Sequence, residues 1–145
     1  MSVCSGLYIR LAGDNLSALS VFQALRQAGW SMLLNGQITL LPLGDRDDFA
    51  WKCLPGDRLA QAEQEIAAKC QLDELVGVVM TWQETSCGGE FLLYPHGDIT
   101  FSLSIDRRVL QGTRVTDVSW YLERLLKAFE SPRFTIASLS WQEHY

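Results

Sequence analysis

The sequence predicts an α+β domain, a mainly antiparallel sheet of about five to seven strands with three helices, two of them packed on one face. Three observations lead there: an Asn35-Gly36 turn between two apolar runs, an alternating segment from Ile99 to Ile105, and a regular helical stripe from Val118 to Phe129. Tight turns of this kind join antiparallel neighbours, whereas parallel strands need long crossovers. The chain has 145 residues, 48% of them hydrophobic and 20% charged, which suits one domain with one core over residues 1–145.

Leu7 to Leu11 has the apolar, partly β-branched content of a strand, and Gly13-Asp14-Asn15 follows as a turn able to cap a helix. From Asn15 to Ala28, Ala18, Leu19, Phe22 and Leu25 step at helical spacing, and Gly29 stops the run. Ser31–Leu34 and Gln37–Leu41 then flank Asn35-Gly36, the dipeptide that best tolerates both positive φ angles of a type I′ hairpin turn. Phe49–Leu54 is a candidate short strand. Asp57 is placed to cap a helix running to Lys69, whose light stripe of Leu59, Ala62, Ile66 and Cys70 predicts a peripheral position.

Leu75 to Gln83 is strongly β-prone, and Ser86-Cys87-Gly88-Gly89 is expected to turn the chain back into Phe91–Tyr94. Pro95-His96-Gly97-Asp98 turns it again into Ile99–Ile105, where Ile99, Phe101, Leu103 and Ile105 alternate with Thr100, Ser102 and Ser104: one face is wet. Thr116 or Asp117 caps a last helix carrying Val118, Tyr121, Leu122, Leu125 and Phe129, with Pro132 beyond its end. Phe134 to Trp141 alternates imperfectly and closes the sheet.

Seventeen acids against twelve bases leave a net charge of −5, and neither half of the chain is basic. Sequence-independent nucleic-acid binding needs a basic stripe to neutralise phosphates, so no nucleic-acid partner is expected; the short cluster Arg107, Arg108 and Arg114 reads as a solvated loop. No apolar run approaches the roughly 20 residues that cross a bilayer, and Met1–Arg10 has no leader pattern, so a cytoplasmic protein without membrane contact is expected. Cys4, Cys53, Cys70 and Cys87 form no CxxC pair, which predicts free thiols.

Cys87 beside Gly88-Gly89, with His96 or His144 as base, is the one nucleophile arrangement to consider; a hairpin turn with a small apolar cysteine explains these residues more simply. Two histidines and scattered thiols give no metal spacing, and the glycines follow neither phosphate-loop pattern, so neither metal nor cofactor is expected. The candidate partner-binding residues are Asp45, Asp47, Asp48, Phe49 and Trp51 in one acidic, aromatic segment, with Trp82, Glu84, Glu90 and Tyr94 as a second set. Aromatic anchors ringed by charge supply both affinity and steering at protein interfaces.

In its size, its acidity, the meander Leu75–Ile105 and the ending Thr116-Asp-Val-Ser-Trp-Tyr-Leu-Glu-Arg-Leu-Leu126 before a last strand, the chain resembles the small acidic immunity proteins of bacterial contact-dependent and polymorphic toxin systems. The resemblance implies a non-enzymatic inhibitor that neutralises one cognate toxin domain, often a nuclease with a basic surface, by stoichiometric binding. Those proteins share no motif from which a functional residue carries over. A different interaction or chaperone-like module is the alternative reading, and an enzyme using Cys87 or the carboxylates a third.

Overall fold

The computed structural model describes residues 3–145. In chain order these form β1 (Cys4–Ala12), α1 (Ala18–Ala28), β2 (Trp30–Ser31), β3 (Gln37–Leu40), β4 (Lys52–Pro55), α2 (Leu59–Gln71), β5 (Val76–Trp82), β6 (Gly88–Leu93), β7 (Ile99–Ile105), α3 (Val118–Leu126) and β8 (Thr135–His144). One antiparallel sheet runs β4-β3-β5-β6-β7-β1-β8, with the two-residue β2 also paired to β5. The α+β class and its antiparallel sheet stand as expected, with eight strands rather than seven.

Alternation divides the sheet cleanly. Leu7, Ile9 and Leu11 of β1, Phe101 and Leu103 of β7, and Val76, Val78 and Met80 of β5 share one core with Val21, Phe22 and Leu25 of α1, Ala62 and Ile66 of α2, and Tyr121 and Leu125 of α3. All three helices therefore cover one face. α2, expected at the periphery, contributes only its light stripe yet buries Ile66 fully.

At the centre sits Trp30, 1% exposed. Its indole meets Trp82, Phe91 and Phe101 edge-to-face at 5.2 to 5.5 Å, while Phe91 and Phe101 stack at 4.1 Å. Its Nε1 donates to the Arg124 carbonyl of α3 at 3.4 Å, so the indole's polar end is also satisfied. Arg124 in turn lies over both Trp120 and Trp82.

Several local expectations are corrected. Ser17, not the Gly13–Asn15 turn, caps α1: its hydroxyl accepts from Ser20 N while Ser20 Oγ accepts from Ser17 N, each at 3.1 Å. Asn35 and Gly36 have φ of 53° and 73°, and Leu34 and Gln37 exchange both backbone bonds at 3.0 Å, as the turn requires. The hairpin's first arm goes no further, however. Trp30-Ser31 pairs with Trp82-Thr81 of β5 instead, and β3 takes β4 as its partner. Burial of Trp30 in the aromatic core outweighs local strand pairing.

Asp57 makes no side-chain cap; a single 3-10 turn leads into α2. Gly88 and Gly89 are not turn residues but the start of β6, at an irregularity in its pairing with β7. A Cβ on Gly89 would lie 1.7 Å from the Ser102 carbonyl oxygen, so close strand approach demands glycine there. The imperfect rhythm of the last strand also has a cause. Arg10 pairs with Ser138 and Leu11 with Ile136, leaving Ala137 as a bulge that keeps Ile136 and Leu139 on the helix side.

Leu125 is wholly buried and Phe129 5% exposed, both within the core. Leu125→Ala or Phe129→Ala is expected to cost about 2 to 5 kcal/mol, seen as a lowered denaturant midpoint at unchanged slope. A midpoint that hardly moves would contradict this packing.

Candidate functional site

The acidic segment after β3 is organised by a buried carboxylate. Asp45 is 5% exposed, and its Oδ1 accepts from the backbone N–H groups of Asp48 and Phe49 at 3.0 and 3.1 Å while Oδ2 accepts from Ala50 at 2.7 Å. Burial pushes the Asp45 pKa up, but these three bonds and the ammonium of Lys69 more than offset it and hold the carboxyl below its ordinary value. Of the three expected surface carboxylates, Asp45 is thus an internal one. The physical reason is chain direction: the loop curls around it, so its charge is spent on backbone donors that would otherwise lack partners.

Lys69 reaches this loop from α2. It is fully buried, and its Nζ donates to the carbonyls of Pro42 and Asp45 at 2.8 and 2.9 Å and lies 3.6 Å from Glu74 Oε1. Glu74 itself is 4% exposed and accepts from Gly44 N at 2.8 Å, and Glu65 accepts from Leu43 N and from Lys52. Burial draws the Lys69 pKa down against the pull of Glu74 and Asp45. In the sequence Lys69 marked only the end of the helix that follows Asp57. Its position, three residues after Ile66 and seven after Ala62, was the available signal.

The consequence lies at the tip. Phe49 has φ of 53°, a conformation costly for a bulky side chain, and its ring is 46% exposed between exposed Asp48 and Ala50, with Asp47 also exposed. Leu43, 49% exposed, belongs to the same loop, and Leu72, 55% exposed, accepts from Arg46 through its carbonyl. Trp51 does something else. Its ring lies over Gly77 on the face of β5 away from the helices, where Leu41 also packs, so it wedges the loop against the sheet.

The second predicted set does not converge. Trp82 is buried on the helix side against Trp30, whereas Glu90 lies on the opposite face, across from Val79 and Ser102. Glu84 is exposed in the turn after β5, and Tyr94 is half-buried beyond β6 with its ring 5.9 Å from His96. Cys87 and His96 sit at opposite ends of β6, and His144 pairs across the sheet with Cys4, so neither histidine is Cys87's base. Burial raises the Cys87 pKa, and all four cysteines are free.

The face of the sheet away from the helices holds a trough of about 400 Å³ floored by Gly6, Ser102, Ser104, Ser140 and Gln142. A second buried network, on the helix side, ties the Asp106–Thr116 loop to the end of β8. Glu143 accepts from Thr116 N at 3.1 Å, from the hydroxyls of Thr116 and Tyr145, and from Arg107 Nη1 at 3.3 Å. Burial opposes its charge, yet these bonds hold its pKa down at about 2.

Among the described residues no helix is long and apolar enough to cross a membrane, and no three His, Cys, Asp or Glu side chains gather as metal ligands. No family model, curated protein or solved structure matches the chain.

Two outcomes test these networks. Asp45→Asn retains shape but only one acceptor oxygen, so amide exchange at Phe49 and Ala50 should quicken by ~10-fold or more while exchange in β5 and β6 stays slow. For Glu143 the pKa falls from an ordinary value of 4.5 to about 2 on folding, so its contribution is complete above pH ~5.5 and is lost as pH drops toward 2. Over that range the parent should lose stability more steeply than Glu143→Gln; parallel curves would contradict the assignment.

Proposed function

We propose that this chain is a non-enzymatic binding protein of the immunity type, acting in the cytoplasm to neutralise a cognate toxin domain by stoichiometric binding. The observation that carries the reading is Phe49, an exposed aromatic ring held at positive φ by a buried carboxylate and preceded by two exposed acids. Strain of this sort persists only where the surroundings over-determine it, and a fixed ring loses little entropy on docking. Asp47 and Asp48 add negative potential around the anchor, which draws in a basic surface such as a nuclease active site and fades as salt screens it.

Asp45, Lys69 and Glu74 act in this reading as positioning residues beneath the contact surface, and Leu43 and Leu72 extend its apolar part. The resemblance to small acidic immunity proteins supports the same conclusion, as does the acidic balance of the chain.

Phe49→Gly separates binding from folding. Glycine adopts positive φ freely, so the variant should match or exceed the parent's stability while binding to the toxin domain weakens by ~10-fold or more. Asp47→Lys/Asp48→Lys should leave circular dichroism unchanged and slow association several-fold at low salt, with the difference shrinking as salt rises. If both variants bind and protect a toxin-expressing cell as the parent does, this surface is not the contact.

A further inference from the structure

The two edges of the sheet differ in how they meet solvent. β4 is four residues long, begins at Lys52 and ends at Pro55, all features that discourage another strand from adding to it. β8 runs for ten residues, Thr135–His144, without proline, glycine or lysine, and bears no charged side chain before Glu143. Among the described residues it pairs with β1 alone, so its outer row of N–H and C=O groups is open. Every side chain from Thr135 to Ser140 is exposed, and Ile136 and Leu139 are 39% and 37% exposed on the helix side.

We propose that β8 is a self-association edge: two copies of this chain pair antiparallel along β8 about a twofold axis, joining their sheets into one. Charge selects the occupant. Each copy carries −5, so two copies repel wherever acids face one another. At β8 they do not. In a twofold antiparallel pair with Ser140 on the axis, opposed residues lie on the same face, so Ser138 meets Gln142, Ser140 meets its own copy and Leu139 meets Trp141. Glu143, at the strand's end, is already tied to Arg107. A strand lent by a basic partner would find no free acid here to attract it.

With that axis the bulge at Ala137 limits regular pairing to Ser138–Gln142, roughly 17 Å of strand at about 3.4 Å per residue. Such an interface is small, and the dimer is accordingly weak and concentration-dependent.

Sedimentation equilibrium of the whole chain, from about 1 to 300 μM, reads this directly. The parent should shift from monomer to dimer across the range. Leu139→Lys, which brings ammonium groups together near the axis, should raise the dimer's dissociation constant by at least about tenfold at unchanged circular dichroism. Ser140→Lys, on the exposed opposite face, provides the same measurement if Leu139→Lys disturbs the fold, and Cys53→Lys on β4 should leave association unchanged. A parent that stays monomeric throughout, or a dimer indifferent to both β8 variants, overturns the proposal. So does a monomeric parent whose β8 variants lose a partner protein, which would assign the edge to that protein. None of these outcomes bears on Phe49.

Discussion

Burial of the Trp30 indole between sheet and helices is the constraint on which the remaining packing depends. Three aromatic rings from β5, β6 and β7 meet it edge-on, and its N–H is bonded to α3. An aromatic side chain of this size removes on the order of 150 to 250 Å² from water, and each favourable ring pair adds about 0.5 to 1.5 kcal/mol beyond the area. Because only Gly29 separates Trp30 from the end of α1, placing it also fixes where that helix lies. Gly29 is required at the junction: its φ is 132°, and a Cβ there would come within 2.8 Å of the Trp82 ring.

The buried charges act on a different scale. A fully desolvated ammonium among Pro42, Asp45 and Glu74 contributes little net stability over an apolar replacement, but removal of one member would strand the others. What the cluster supplies is definition. It leaves the loop after β3 a single course, with Asp45 bonded to three successive amides and Phe49 forced outward. In the proposed reading, rigid presentation of an aromatic ring among acids gives this small acidic domain a contact surface without extending its core.

The sheet is likewise asymmetric. One face carries all three helices; on the other, Leu41 and Trp51 pack at the β5 end, and a trough floored by small residues lies near β1, β7 and β8. The edges are unequal too, one short and guarded, the other long and uncharged up to Glu143. The proposed contact loop packs beside β5 and the open edge is β8, with β6, β7 and β1 between them, so the two proposed contacts lie on separate surfaces.

What the sequence by itself determined were the features encoded over short range: the helical stripe of α3, the alternation of β7, the positive φ angles at Asn35-Gly36 and the antiparallel α+β class. Each depends on neighbours within a few positions, where 3.6-residue and two-residue periods or a turn's φ requirements are legible. The acidic, aromatic segment after β3 was legible as chemistry but not as geometry. Only the tertiary structure decided that Asp45 and Lys69 lie inside, that Trp82 and Glu90 take opposite faces, that β2 leaves its hairpin for β5, and that β8 is an edge. These outcomes turn on which distant groups compete for the same buried volume or the same backbone donors. A charge expected outside goes inside when unpartnered amides and carbonyls meet there, and that meeting is set by the fold as a whole.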